Sequence, residues 1–240
     1  MNVRTPTLRD ALVLAAATFL AAACSSSSPR PIEYQTRGDL PVTADGLHRI
    51  HSVRVAAAYL KPGASFANYK QIVIDPVTVS YKSPPRKATT ANRSRGNFAL
   101  SETNMDRLKR TFQEVFEEEL AKSEDYRITQ EPGPDALRVT GHIVDLVVDA
   151  PPQRGGEYDF VMKAGEMTII LDVRDSVTGE PLARVADRRA IRPASGGASS
   201  LHYSTPVLAW SDVRARFRIW ASLLREGLDE LNQLPEVPAP

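Results

Sequence analysis

Apolar residues recur at two periods along this chain, and the switches between them predict its elements. From residue 101, Met105, Leu108, Phe112, Val115, Phe116 and Leu120 follow the 3–4 spacing of a helix with one buried stripe. Ser101 stands where an N-cap belongs. A second stripe, Val213, Phe217, Trp220, Leu224, Leu228 and Leu231, predicts a helix opened by Ser211 or Asp212 and stopped by Pro235. Elsewhere the period falls to two. Residues 71–81 alternate through Ile72 and Ile74, then Val77, Val79 and Tyr81, with a parity shift at Asp75-Pro76. Proline has no N–H for a ladder, so this strand is expected to bulge or lie at an edge there. In residues 136–149, Leu137, Val139, Gly141 and Ile143 share one face, and Val144, Leu146 and Val148 share the other. That switch predicts a second bulge or burial on both faces. Two β-rich runs flank residues 175–180, where Gly179 marks a hairpin turn. Residues 126–129 read as a short strand, and the Ala-rich residues 53–59 are ambiguous.

This order predicts an α+β fold: a single, mostly antiparallel sheet of four to five strands, with two long helices packed on one face. Glu117, Glu118 and Glu119 oppose the dipole at the end of the first helix. Some of Arg214, Arg216, Arg218 and Arg225 on the second are expected to face them if the helices lie side by side. Residues 45–235 read as one domain, and residues 236–240 as a frayed tail.

The N-terminal pattern differs. Arg4 and Arg9 precede residues 11–23, an uncharged run rich in Ala and Leu. Spanning a bilayer takes about twenty apolar residues, so this shorter run fits the core of a secretory signal, residues 1–23. Ala21, Ala22 and Ala23 make an unhindered cleavage site before Cys24. Residues 24–44 are rich in Ser, Pro and Thr and read as a flexible tether, reaching at most about 70 Å.

With 42% hydrophobic and 25% charged residues, the chain has enough apolar material for a core and too much polar material for a polytopic membrane protein. Loss of Arg4, Arg9 and Asp10 with the signal leaves no net formal charge, which argues against a nucleic-acid partner. Cys24 is the single cysteine, so there is no intramolecular disulfide and no Cys-based zinc site.

Candidate chemistry is sparse. His48, His51, His142 and His202 have no carboxylate at a metal-ligand spacing, and neither a zinc-hydrolase, a nucleophile-elbow nor a P-loop motif occurs. No cofactor or metal is expected. Ser199, Ser200 and Ser204 near His202 lack an evident base or oxyanion hole, and Asp145, Asp149, Glu157 and Asp159 are the acids worth weighing for paired acid–base work. The strongest local surface feature is a basic loop carrying Lys82, Arg86, Lys87, Arg93 and Arg95 without an acid among them. It suits an anionic envelope partner, either an acidic protein or a glycolipid phosphate. It lacks the interleaved aromatics of a nucleic-acid platform.

Two resemblances sharpen this picture. The Ala-rich run ending at Cys24 resembles a lipobox, although Ala21 stands where leucine is usual and Leu20 lies one step back. The resemblance implies diacylglycerol on the Cys24 sulfur and acylation of the new amino terminus. With Ser25 rather than Asp following, it also implies the outer membrane, with the domain in the periplasm. Asp45-Gly46-Leu47, Tyr59, Pro62-Gly63-Ala64, Phe66, Tyr69 and Ile74-Asp75-Pro76, with the Ser101-led helix and the Thr178-Gly179 hairpin, resemble a family of uncharacterised proteobacterial lipoproteins known only as a domain of unknown function. The element order is also similar to small periplasmic lipoprotein domains that act in assembly or synthase activation, an analogy of fold alone. The expectation is a non-enzymatic binding or assembly factor of the envelope. The alternative is a cell-envelope hydrolase gathering His142 or His202 with Asp145 or Asp159.

Overall fold

The computed structural model describes residues 31–38, 41–85, 99–146, 166–190 and 210–240. In chain order the elements are β1 (His48–Ile50), β2 (Ala57–Leu60), β3 (Gln71–Ile74), β4 (Thr78–Tyr81), α1 (Glu102–Leu120), β5 (Arg127–Thr129), β6 (Ala136–Leu146), β7 (Glu166–Asp175), β8 (Pro181–Ala190) and α2 (Trp210–Asn232).

The fold is α+β, but its sheet has eight strands where the sequence suggests four to five. The order is β1-β2-β8-β7-β6-β3-β5, with β4 pairing β6 beyond β3. The sheet is mixed. The β1/β2, β2/β8, β8/β7 and β7/β6 pairs are antiparallel, whereas β3 runs parallel to β5 and β6, and β4 parallel to β6. The discrepancy has a physical cause. β1 and β2 have only three or four residues, too few for a period of two to register, whereas β5 is the short strand expected at residues 126–129. One expected strand is two: Pro76 interrupts the run, and β3 and β4 pair separately with β6.

The parity shifts serve one end, keeping apolar side chains on the helix-covered face. Ile74 pairs with Val139 and Thr78 with His142, so the Asp75–Val77 break inserts one residue and leaves both Ile74 and Val77 buried. Asp75 fills the break by accepting from Arg138 Nη1 at 3.0 Å and Thr140 Oγ1 at 2.7 Å. In β6 the expected bulge falls near Asp145, which sits at φ 57°. Val79 pairs with Ile143 but Tyr81 with Leu146, so the extra residue returns Leu146 to the core. The β7–β8 hairpin is as expected. Asp175 Oδ1 accepts from the backbone N–H groups of Val177 and Thr178, and Gly179 takes φ 72°.

Both helices lie on the face bearing Leu137, Val139, Gly141 and Ile143. The ring of Phe112 on α1 fills the space a Cβ would take at Gly141. On α2, the Trp220 indole donates to Asp187 of β8, a position aligned through Ile169 with Ile143. Phe112 stacks on Phe116 at 4.0 Å and meets Phe217 of α2 edge-on at 5.5 Å. Ser101 caps α1 through the Asn104 N–H. Arg214 pairs with Glu114 and Glu118, and Arg218 with Glu118 and Glu119. These two meet the expectation that some of the α2 arginines face the acidic end of α1. Arg225 instead pairs with Glu226 and Asp229 on its own helix. The Glu118 carboxyl is held below its ordinary pKa by the Arg214 hydrogen bond and then by the nearby Arg218 charge.

Both ends of the domain are more ordered than the sequence suggests. Part of the expected tether lies along β1: Gln35 N–H donates to Arg49 O, His51 N–H to Glu33 O and Arg49 N–H to Pro41 O. Val42 bridges to His48. The expected frayed tail is docked as well. Val237 is 1% exposed and exchanges backbone hydrogen bonds with Gly63 and Ala64, and Tyr34 Oη–H donates to Pro238 O. The pattern gives no sign of either, because each is a single apolar residue or bridge between prolines.

Tyr126 and Tyr69 tie the domain base together. Burial pushes the Tyr126 hydroxyl up to about 12, against a hydrogen bond from Asn232 that lowers it. Burial and then the Asp175 carboxylate push Tyr69 up to about 12. A raised acid pKa means that the fold holds the proton tighter than the unfolded chain, so this stability is intact below pH 10 and is lost between pH 10 and 12. Urea midpoints should therefore fall across that window, and less steeply in Tyr126→Phe.

Candidate functional site

The main concavity follows from the widths of the two layers. Seven strands side by side at ~4.8 Å span roughly 30 Å, whereas two helices of ~10 Å diameter cover roughly 20 Å. α1 lies towards β3 and β5, and Trp220 of α2 reaches Asp187 on β8. Among the described residues, no helix lies centred above the strip towards β2 and β1. There the structure leaves a partly open cavity of about 460 Å³ between the sheet and α2.

Its floor is Ala58, Leu60, Ile169, Leu171, Ala183 and Val185, and its side wall is Trp220, Leu223, Gly227 and Leu231 of α2. Ala58, Ala183 and Gly227 are small, and a Cβ at Gly227 would meet nothing within 4 Å. The mouth is formed by Pro31, Ile32 and Glu33, by residues 51–55 of the β1–β2 connection, and by Glu230. Most of the wall is apolar. The volume falls within the range of small-ligand cavities, ~300–1,000 Å³.

The β1–β2 connection is strapped over this space. Asp187 is 5% exposed. It accepts from Trp220 Nε1–H at 2.8 Å, from Ala56 N–H at 3.2 Å and from Arg189 Nε–H at 2.5 Å. Arg189 Nη2 donates onward to Arg54 O at 2.9 Å. From the same connection, Arg54 reaches Glu230 at 2.7 Å and Glu226 at 3.4 Å on α2. One buried carboxylate thus joins helix, sheet and strap, and two ion pairs close the outer side. Beside them Val53 is 80% exposed.

The residues singled out from the sequence are not gathered here. Cys24, Arg86, Lys87, Arg93 and Arg95 lie outside the described residues, as do Asp149, Glu157, Asp159, Ser199, Ser200, His202 and Ser204. Lys82 follows β4, exposed, with its N–H donating to Leu146 O. His48 meets the Tyr34 ring edge-on, while His51 hydrogen-bonds Gln35 and stands at the cavity mouth. His142 lies on the sheet face away from the helices, with Nδ1 2.8 Å from Thr78 Oγ1 and Nε2 3.6 Å from Asp172. Asp172 is itself held by Arg184 at 2.5 Å. This Thr–His–Asp alignment resembles a nucleophile relay in its spacing, yet it lines neither of the two best cavities. No cluster of three or more metal-ligating side chains occurs among the described residues.

A smaller cleft of about 290 Å³ lies between α1 and the start of α2, lined by Arg107, Arg110, Glu114, Trp210 and Arg214. Arg107 lies over the Trp210 ring at 4.4 Å, and Arg214 is engaged by Glu114. Sequence reasoning missed both concavities. The larger one did leave a signal: Leu223 and Gly227 continue a 3–4 spacing between Trp220 and Leu231, widening the apolar face of α2 beyond its core stripe.

Residues 45–224 match the family described as "Protein of unknown function (DUF3313)", and the chain belongs to that family. No curated protein matches the chain. Among solved structures it is similar to the PelC dodecamer from Paraburkholderia phytofirmans, at 10% identity and TM-score 0.35 over 73% of this chain and 96% of that one. It is also similar to protein XCC0632 from Xanthomonas campestris, of the DUF330 family, at 12% identity and TM-score 0.33 over 70% and 83% of the two chains. A putative neuraminyllactose-binding hemagglutinin homolog from Helicobacter pylori is similar at 8% identity and TM-score 0.31, over 70% and 86%. At these scores the likenesses carry no argument about function.

Proposed function

We propose that this protein is a lipid-anchored envelope protein, held to the outer membrane through Cys24, and that its domain binds the aliphatic chain of an envelope lipid without covalent chemistry. The observation that carries this reading is the apolar cavity under the β1–β2 connection, whose wall presents hydrocarbon and whose mouth holds the few charges. An aliphatic chain gains ~0.8 kcal/mol for each methylene withdrawn from water, so a cavity of this lining favours such a ligand over a polar one. The signal-like residues 1–23 and the solitary Cys24 supply the anchor. Two or more acyl chains would make it durable where one is marginal. An anionic partner at the basic loop containing Lys82, Arg86, Lys87, Arg93 and Arg95 is compatible with this role and is not required by it.

The test uses the mature chain with Cys24→Ser, titrated with the fluorescent fatty acid cis-parinaric acid. Saturable binding at one probe per chain is expected, weakened at least tenfold by Gly227→Phe and by Leu223→Phe, each checked for native melting. Absence of saturable binding, or binding indifferent to both fillers, would overturn the reading of the cavity. For the anchor, the N-terminal peptide released from membrane-purified protein should carry acyl mass on Cys24. A Cys24→Ser precursor that still matures and fractionates with membranes would overturn it.

A further inference from the structure

We infer that the chain the cavity holds is one of the acyl chains carried on this protein's own Cys24. The inference rests on the lipid-anchored reading above and deepens it by naming the source of the ligand. Its basis is the place of residues 31–33 beside the cavity. Pro31, Ile32 and Glu33 are lining residues at the cavity mouth. Ile32 is partly buried against the core, and Glu33 is pinned through its carbonyl by His51 N–H at 2.8 Å. Pro31 is therefore at the opening itself. Cys24 is seven residues upstream of Pro31, a span of at most about 25 Å. An acyl chain on its sulfur is thus confined close to the mouth, at an effective concentration that a free lipid in water cannot match.

The volume and chemistry agree with a single guest. About 460 Å³ of mostly apolar space suits one aliphatic chain and not the two or three that a lipoprotein anchor carries. The remaining chains stay free for the bilayer. The strap borders the cavity. It is held to α2 by the ion pairs of Arg54 with Glu226 and Glu230, with exposed Val53 beside them. Hydrocarbon is equally content in a bilayer and in such a cavity and poorly tolerated in water. The cavity is therefore filled when the protein is away from a membrane, and an excess of bilayer hydrocarbon competes for its guest.

The experiment uses the mature chain beginning at Cys24 and carrying Trp210→Phe, so that Trp220, on the cavity wall, is the sole tryptophan. Cys24, the sole thiol, is alkylated with a maleimide bearing a brominated chain of myristyl length, because bromine quenches indole emission on contact. Trp220 emission should fall at least twofold, independently of protein concentration. It should recover in Gly227→Phe and Leu223→Phe, and on addition of phosphatidylethanolamine–phosphatidylglycerol vesicles. A parallel arm adds free brominated myristic acid to the Cys24→Ser chain. Quenching by the free acid but not by the tethered chain overturns self-occupancy and leaves the cavity as a site for lipid from elsewhere. Failure of both arms removes the cavity reading too. Tethered quenching that rises with protein concentration, or that survives both fillers, also overturns the inference.

Discussion

Phe112→Ala is expected to lower the free energy of unfolding by about 3–5 kcal/mol, the range for deleting a fully buried aromatic ring. Phe112 has no exposed surface, stacks on Phe116 and meets Phe217 of the other helix edge-on. It joins α1, α2 and the middle of the sheet at one point. The reason is Gly141, the one β6 position on the covered face without a side chain. A Cβ there would stand 2.4 Å from the Phe112 Cζ. Gly141→Ala alone should therefore cost about 1–3 kcal/mol through overpacking. The two sites are one contact, so their effects should not add. Gly141→Ala combined with Phe112→Leu should be more stable than the sum of the separate losses predicts. Urea midpoints for the four chains measure this. Strict additivity would mean that the ring and the glycine do not share the space.

Asp187→Ala should cost about 3 kcal/mol by a different mechanism. The carboxylate is almost fully buried and serves three donors, from Trp220, Ala56 and Arg189. Its removal strands a buried indole N–H and leaves a half-exposed guanidinium without its partner, losses of the size seen when a buried charged hydrogen-bond acceptor is deleted. Asp187→Asn keeps an acceptor for Trp220 and should recover part of the loss. The change should also be local: amide exchange at Ala56 should accelerate more than at Val139 in the sheet centre. Equal acceleration at both would show that Asp187 supports the whole fold and has no special hold on the strap.

The elements legible in the sequence were those long enough to show a period. The stripes of Phe112 and Phe217, the hairpin around Gly179 and the parity switch after Ile143 all have structural counterparts. What escaped is short or distant. Ala57–Leu60 is a strand because β8, far along the chain, pairs with it, and His48–Ile50 extends that edge with only three residues. Val237 owes its burial to Gly63 and Ala64, which no local pattern encodes. The cavity was half legible: the 3–4 spacing through Leu223 and Gly227 is present in the sequence, but its meaning depends on how many strands the sheet has.

The cavity floor joins segments far apart in the chain: β2 pairs with β8 across Ala57 and Ala186. A ribosome delivers the first of these partners long before the second. A nascent polypeptide halted before residue 181 lacks the middle strand of that floor, and β1 and β2 then have nothing to dock against. Such distant pairings make for slow closure, on a millisecond-to-second scale. The apolar space is consequently late to form, completed only once β8 and α2 have both followed β2 out of the ribosome.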